Sequence, residues 1–270
     1  EHLGENRFTH QNLPLVSPHD VIRLAKYKLK KGDIVFSRVG SVDRRALVRD
    51  EEDGWLFSGR CLRVRPRADI VDSLWLSFLL GTEQFREFIR SVAVGATMPS
   101  INTKILCEAP IFLPPVEEQR AIGEILGTFD DRIAKLRQAN DTLQAIAAAV
   151  FKSWFIAFDG VLHEDMTETE LGLIPKGWRV GTLADLCELK YGKALKAAER
   201  REGRVPVYGS GGITGYHDEA LVSIPTIIVG RKGTVGTFYW ESSPCFPIDT
   251  VFYVEPKVSL HFCYYAMTRM

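Results

Sequence analysis

Two glycine-rich segments in the last third of the chain contain the residue types that hold a phosphate group. Residues 207–217 read VYGSGGITGYH, and residues 230–236 read GRKGTVG. Backbone N–H groups of a glycine loop, together with a hydroxyl and a cation, can bind phosphate oxygens. The first segment misses the G-x-G-x-x-G spacing of a dinucleotide loop by one residue, and in the second Lys232 precedes its glycine, unlike a P-loop. A nucleotide-dependent enzyme that uses Gly209–Gly215 is therefore an alternative that the spacing disfavours.

One short triplet has the spacing of a metal-dependent nuclease. Glu188 and Lys190 form a Glu-x-Lys, and Asp185 lies just upstream. Asp185 is too close in sequence to act as the usual upstream ligand, so a solvated amphipathic turn is the simpler interpretation. The sequence contains no H-E-x-x-H, no Asn-Pro-Pro-Tyr-type methyltransferase motif and no evident catalytic triad. The motifs therefore predict a binding protein without a metal site or catalytic residues of its own.

The chain contains an internal repeat. Residues 34–42 read IVFSRVGSV and residues 227–235 read IIVGRKGTV, each a β-rich run followed by Arg, one residue, Gly, Ser or Thr, and Val. Two later pairs of segments align in the same order, namely CLRVRP (61–66) with VFYVEP (251–256) and SLWLSFLL (73–80) with SLHFCYYA (259–266). Three ordered matches indicate a duplication.

The repeated Arg-x-Gly-Ser/Thr segment has the chemistry of a DNA contact. Glycine lets the backbone approach a surface closely. The hydroxyl and N–H groups can hold a phosphate, and arginine can reach a phosphate or the O6/N7 edge of guanine. The candidate DNA-contact residues in these repeats, the glycine-rich segment and the adjoining basic stretches are Arg38, Gly40, Ser41, Arg44, Lys190, Lys193, Tyr208, Ser210, Thr214, Tyr216, His217, Arg231, Lys232, Gly233 and Thr234. For Tyr208 and Tyr216, packing in the core is an equally good interpretation.

Charge is distributed unevenly although the formal net charge is zero. Residues 23–67 contain thirteen Lys and Arg against six Asp and Glu, and residues 176–204 contain eight against four. Residues 117–170 reverse the balance, with five basic and eleven acidic residues. Two basic regions therefore flank an acidic middle, which suits either two nucleic-acid-binding faces or two solvated surfaces.

The acidic middle is predicted to be one long helix. No proline occurs from Glu117 to about Phe158, and apolar residues recur at alternating spacings of four and three. The residues of this heptad seam are Ile122, Leu126, Phe129, Ile133, Leu136, Asn140, Leu143, Ala147, Val150 and Trp154. Their period is that of a coiled coil, in which a polar member such as Asn140 can fix the register. No partner helix is recognisable in the sequence, so we expect another chain or segment to supply it.

These patterns predict an α+β fold with two mixed α/β domains joined by the long helix. Residues 33–37 and 226–229 are predicted strands, and helices are expected to begin near Asp72 and Val258. The predicted parts are a first domain at 1–115, a spacer helix at 116–158 and a second domain at 159–270.

Cysteine usage and hydropathy indicate the compartment. The five cysteines are scattered and form no C-x-x-C, which suits a reducing environment. The longest apolar stretch, residues 145–158, is too short to span a bilayer and contains Lys152. We therefore expect a cytoplasmic protein with no membrane partner.

Several segments resemble the specificity subunit of type I restriction-modification systems. The segments similar to its target-recognition domain are IPKGW (174–178), VYGSGGITGYHDE (207–219), IIVGRKGTVG (227–236) and PIDTVFYV (247–254). TMPSINTK (97–104) followed by IFLPPVEEQRAIGEIL (111–126) is similar to the end of such a domain where it enters the family's spacer helix. The resemblance covers nearly the whole chain after the first segment of about twenty residues.

The resemblance implies a function and partners. Such subunits carry two target-recognition domains, each of which reads one half of a bipartite site in double-stranded DNA. Two long helices pack antiparallel and set the gap between the half-sites. The specificity subunit is non-catalytic and recruits methyltransferase (M) subunits and restriction (R) subunits. We therefore expect no cofactor in this chain; S-adenosylmethionine, for adenine methylation, and ATP and Mg belong to the partner subunits.

Two interpretations of the sequence's extent remain open. From the resemblance we expect the start of a first domain, the end of a second domain and a second helix to lie outside the 270 residues. The chain is therefore either a fragment or a shortened subunit that completes itself by pairing through the spacer helix. A shortened subunit that assembles without reading DNA is a further alternative.

Overall fold

A computed structural model of the chain describes residues 2–95 and 97–268. The chain forms two compact units, unit 1 at Glu1–Asn140 and unit 2 at Asp141–Met270. The boundary between them lies inside the longest helix, so each unit contains part of that helix. The division into three parts at residues 115 and 158 stays a prediction.

Unit 1 is built on a four-stranded sheet. Its elements in chain order are β1 (Glu5–Asn6), α1 (Pro18–Arg23), β2 (Ile34–Ser37), β3 (Arg45–Leu47), β4 (Cys61–Val64), α2 (Ser73–Leu79), α3 (Glu83–Val92), α4 (Thr103–Cys107) and α5 (Val116–Lys152). The strand order is β1–β3–β2–β4, with β3 and β4 antiparallel to β2 and β1 parallel to β3. Side chains alternate across a strand, so Ile34 and Phe36 enter the core beneath α2 and α3, whereas Val35 packs with Leu29 on the other face.

The predicted long helix is confirmed as α5. Pro114 and Pro115 precede it, and Glu117 and Glu118 occupy its first turn, where carboxylates interact favourably with the helix dipole. A π-helical turn at Ser153–Ala157 follows α5 directly. The next residue, Phe158, has a left-handed φ of 55° and ends the helical backbone. Among the described residues, no helix combines the length and apolar character that crossing a bilayer requires.

The described part of unit 2 contains three small sheets. Its elements after α5 are β5 (Met166–Thr169), β6 (Gly172–Pro175), α6 (Leu183–Leu186), β7 (Cys187–Tyr191), β8 (Val205–Gly209), β9 (Gly212–His217), β10 (Thr226–Gly230), β11 (Phe238–Glu241), β12 (Phe246–Pro247), β13 (Val251–Pro256) and α7 (Leu260–Met267). The largest sheet has the order β11–β10–β13–β7, the second β12–β8–β9, and β5 pairs with β6. Ile227 and Val229 of β10 pack against Cys263 and Met267 of α7 to form its main core.

The internal repeat is present in the sheets of both units. In unit 1 the last residue of β2, Ser37, pairs with Cys61 of β4, and in unit 2 the equivalent Gly230 of β10 pairs with Val251 of β13. In each unit the central strand also pairs with the strand that follows it, and a helix follows the third strand. The predicted mixed α/β architecture of both halves is therefore confirmed.

Candidate nucleic-acid interface

The repeated Arg-x-Gly-Ser/Thr segment forms the same turn in both units. Gly40 has φ of +83° and Gly233 has φ of +79°, a left-handed conformation that glycine adopts without steric cost. The Val42 N–H donates to the Gly40 carbonyl at 2.9 Å, and the Val235 N–H donates to the Gly233 carbonyl at 3.1 Å. Both turns follow the last residue of the central strand. The residues after the glycines, Ser41 and Thr234, are exposed to solvent.

Arg231 is held within unit 2 by three groups. Its Nη1 donates to the Asp249 carbonyl at 3.0 Å. Its guanidinium lies 4.8 Å from the ring centre of Tyr191 and 5.7 Å from that of Phe252, which are cation–π distances. The half-buried arginine therefore links the ends of β7, β10 and β13 and orients the turn that follows it. Lys232 in that turn remains exposed, with its Nζ 3.9 Å from Asp249.

The glycine-rich segment adjoins the same turn. The β8–β9 hairpin turns at Ser210 and Gly211. The hydroxyls of Thr237 and Tyr239 donate to the Ser210 carbonyl at 3.0 and 3.3 Å. A methyl group on Gly233 would lie 3.3 Å from Ser210 Oγ. The structure thus joins two motifs that are more than twenty residues apart into one surface of unit 2. This arrangement rules out the nucleotide-loop geometry, since a strand follows the glycines where a helix is needed.

Two hairpin residues predicted as contacts lie in the core. Tyr208 is buried and its hydroxyl donates to Glu241 Oε2 at 2.8 Å; burial, together with this bond, raises the pKa of Tyr208. His217 is also buried, where its Nδ1 accepts from the Arg201 N–H at 3.0 Å and its ring packs edge-on against Phe246. The alternation of side chains along β8 and β9 turns both inward. Their burial argues against contact with DNA, and for Tyr208 it favours packing in the core.

Other hairpin residues remain on the surface. Tyr216 is 56% exposed, and Thr214 is exposed with its Oγ1 3.2 Å from the Val207 carbonyl. Arg200 Nη1 donates to the Thr214 carbonyl at 2.7 Å and so braces β9. Tyr216 and Thr214 are therefore accessible to a ligand.

The Glu-x-Lys triplet forms internal ion pairs. Lys190 Nζ lies 2.7 Å from Glu188 on the same strand, β7, and 3.7 Å from Glu255 on the neighbouring strand, β13. The hydrogen bond between Lys190 and Glu188 lowers the pKa of Glu188 and raises that of Lys190. Asp185 accepts from the Thr182 N–H and pairs with Arg179, and these contacts hold its pKa at about 2. The carboxylates thus have cationic or capping partners, which gives no support to the nuclease alternative. Lys190 is also a weaker candidate for DNA than the exposed Lys193.

The corresponding surface of unit 1 is rich in arginine. Arg38 and Arg44 are exposed at either end of the turn, and Arg60, which precedes β4, is exposed beside Arg38. The segment 97–102 crosses the turn: the Gly40 N–H donates to the Pro99 carbonyl at 2.8 Å and the Ile101 N–H to the Arg38 carbonyl at 2.9 Å. This segment therefore fixes the backbone from which the arginines extend.

Tyr191 and Arg60 lie on these surfaces but are not among the contact residues predicted from the sequence. Tyr191 is 65% exposed beneath Arg231, and an aromatic residue among lysines at 190–193 was the available signal. Arg60 aligns with Thr250 in the repeat, and the carbonyls of both accept from the repeated arginine, but this equivalence is visible only in the structure.

The heptad seam of α5 is largely solvent-exposed. Phe129, Leu136 and Leu143 are 64%, 55% and 62% exposed. The other exposed members are Leu126, Ile133, Asn140, Val150 and Trp154, and Ala147 is half-buried. Ile122 differs from the prediction, since it packs against the core of unit 1. An exposed apolar stripe of this period is typical of a helix that pairs with another.

Comparison with known proteins identifies the class. The model of the family "Type I restriction modification DNA specificity domain" matches residues 8–145 and 175–270. These two ranges contain well over half of the chain and one of the repeated turns each. The chain therefore belongs to this family.

Individual relatives support the same assignment. The type I restriction enzyme HindI specificity subunit of Haemophilus influenzae is 33% identical over 159 residues, which cover 58% of this chain and 34% of the relative. The MjaIX specificity subunit of Methanocaldococcus jannaschii is 36% identical over 126 residues, covering 46% of this chain and 29% of the relative. The matched region thus spans about a third of these curated relatives. The crystal structure of a type I restriction-modification S subunit from M. genitalium has the same fold, with a TM-score of 0.53 at 24% identity over 90% of this chain and 65% of that one.

Proposed function

We propose that the chain recognises double-stranded DNA as a type I restriction-modification specificity subunit. Each unit presents its repeated turn to one half of a bipartite site. The observation that carries the proposal is the construction of one turn twice, with the same left-handed glycine and hydrogen bond and with exposed cations beside it. Duplicated contact surfaces suit a DNA site with two halves.

Within each surface we assign different roles to the side chains. Lys232, Thr234 and Ser41 are exposed and suit phosphate contact, which positions the protein without reading sequence. Arg44 and Tyr216 are exposed, and we assign them to contact with base edges, for which the guanidinium fork of arginine is suited. We assign Arg231 an indirect role: its guanidinium contacts Asp249 and Tyr191, and it orients the turn that carries Lys232.

The partners follow from the family. We propose that the chain is non-catalytic and docks M and R subunits, which bring S-adenosylmethionine, ATP and Mg, in the cytoplasm where the DNA lies. The clusters of titratable groups described above are paired internally, which supports a binding role. The exposed heptad seam is proposed to pair antiparallel with a second long helix, supplied by another copy of the chain or another segment.

DNA binding by the purified chain tests the proposal. A fluorescent pool of random duplexes should bind with micromolar or weaker affinity, and log K should fall linearly with log salt concentration as counterions are released. Binding that is absent at low salt, or that does not respond to salt, would overturn the proposal. Mg-dependent cleavage of the pool by the chain alone would support the nuclease alternative.

A further inference from the structure

The N-terminal part of α5, as far as Asp130, is attached along one side to the rest of unit 1. The attached residues are Gln119, Gly123, Gly127 and Asp130, at spacings of four, four and three. These spacings place them on one face of the helix. The face differs from that of the heptad seam: Leu126 and Phe129 of the seam stay exposed along this stretch, whereas Ile122 also packs against the core of unit 1.

Gln119 forms the attachment nearest the start of the helix. It is fully buried, and its Oε1 accepts from the Asp72 N–H at 2.9 Å while Nε2 donates to the carbonyls of Ile70 at 3.1 Å and Pro114 at 2.7 Å. Both amide protons and the oxygen are thus used. A glutamate cannot donate these two bonds and an apolar side chain can make none of the three, so the arrangement requires glutamine.

Two glycines continue the contact. A methyl group on Gly123 would lie 3.0 Å from Asp72 Oδ1 and 3.1 Å from the Trp75 nitrogen, and one on Gly127 would lie 2.8 Å from Leu74 Cδ2. Glycine inside a helix costs about 1 kcal/mol relative to alanine. Here it allows the α5 backbone to approach the start of α2 closely.

Asp130 forms the second attachment. Arg7 Nε and Arg49 Nη2 both donate to its Oδ2 at 2.9 Å, and Arg7 also pairs with Asp131. The Asp130 side chain is 20% exposed, so this double pair is more shielded than an ordinary surface salt bridge. At 1.5 Å per residue, the eleven residues from Gln119 to Asp130 separate the two attachments by roughly 16 Å.

We infer that Gln119 and Asp130 are positioning residues that fix the direction in which α5 leaves unit 1. One attachment leaves a helix free to pivot, whereas two separated attachments define its axis. The inference rests on the proposed function for its consequence: a fixed axis sets the separation of half-sites that the protein accepts on DNA.

Spin labels test the fixed direction without DNA. Nitroxides are attached at positions 58 and 137 through a keto amino acid, which leaves the five native thiols unlabelled, and electron-electron resonance gives the distance distribution. In the Gln119→Met/Asp130→Ala double variant the distribution should broaden by about a factor of two, as expected for a helix left to pivot. Asp141→Ala, which removes an exposed carboxylate of the same helix, should leave the width unchanged.

A lowered unfolding temperature with an unchanged width would overturn the inference, because the residues would then act on stability alone. The milder pair Gln119→Met/Asp130→Asn, measured below its unfolding transition, gives the same readout if the first variant folds poorly.

In a second arm, bipartite duplexes with different half-site separations are titrated. The wild-type chain should prefer one separation, and the double variant should lose that preference while it retains affinity for a duplex with one half-site. Failure of the wild type to bind any duplex contradicts the proposed function, whereas the spin-label result alone decides the inference.

Discussion

Arg38 and Arg231 make the same two hydrogen bonds at equivalent places in the two units. The Arg38 N–H donates to the Arg60 carbonyl at 2.8 Å, and its Nη1 lies 3.4 Å from the Gly59 carbonyl. The Arg231 N–H donates to the Thr250 carbonyl at 3.0 Å, and its Nη1 to the Asp249 carbonyl at 3.0 Å. The repeated arginine therefore connects the turn to the loop that enters the next strand. This structural role explains why the arginine is repeated, without requiring that it contacts DNA.

The Arg231→Ala variant should lose both stability and DNA affinity. Removal of a hydrogen bond and a cation–π contact should lower the free energy of unfolding by about 1 kcal/mol, measured by urea titration. Arg38→Ala should cost less, because Arg38 is exposed and its side-chain bond is longer. Equal losses in the two variants would contradict the stronger role of Arg231.

Lys232→Ala should weaken DNA binding without affecting stability. The Lys232 side chain is exposed, so the urea midpoint should not change. Loss of one phosphate contact should flatten the slope of log K against log salt by about one unit. Lys176→Ala is the matched control, since it removes the same charge from an exposed site in the β5–β6 region of unit 2. An identical slope change in the control would show a general charge effect instead of a contact.

Gly233→Ala should disturb the joined surface of unit 2. Alanine at φ of +79° is strained by about 1 kcal/mol, and its methyl group would lie 3.3 Å from Ser210 Oγ. Gly236→Ala imposes the same strain at φ of +78° with open space around the methyl group. Both variants should be destabilised similarly, but only Gly233→Ala should lose DNA affinity in the anisotropy titration. Equal affinity in both would show that the Ser210 contact is unimportant for binding.

The sequence predicted the elements better than the placement of side chains. The heptad period identified α5, and the repeat identified β2 and β10 as equivalent strands, because hydrophobic period and local chain order are properties of the sequence itself. The inward orientation of Tyr208 and His217 depends on which face of the β8–β9 hairpin packs against its neighbours, and composition does not give this face.

The polar contacts that attach α5 could not be predicted from the sequence, because they also depend on tertiary packing. Gln119 and Asp130 are ordinary polar residues on a helix, and apart from the nearby Pro114 carbonyl their partners lie 47 or more residues away in the chain. Only Gly123 and Gly127 offered a local signal, as glycines inside a strongly predicted helix. The contacts of Gln119 and Asp130 form only when distant parts of the chain pack together.

Asp185→Asn should show a stability loss that depends on pH. The Thr182 N–H and Arg179 lower the pKa of Asp185 from 3.8 to about 2. The folded state thus binds fewer protons at this group than the unfolded state, so the stabilisation is present above pH 3.8 and is lost as the pH falls towards 2. The difference in unfolding free energy between wild type and variant should therefore shrink over this interval in urea titrations. A difference that stays constant for Asp185→Asn over this interval would contradict the capping role.

Leu143→Glu should prevent pairing through the heptad seam while it leaves the chain folded. Leu143 is 62% exposed, so the substitution costs little within the chain, whereas in a coiled coil it would place an unpaired carboxylate in an apolar interface. Sedimentation velocity of the wild-type chain should show an average mass that rises with concentration, and the variant should keep the mass of a single chain. Lys135→Glu, at an exposed position outside the seam, should behave as the wild type in this measurement. A wild-type chain that keeps the mass of a single chain at every concentration would exclude self-pairing and leave another segment or polypeptide as the partner of the seam.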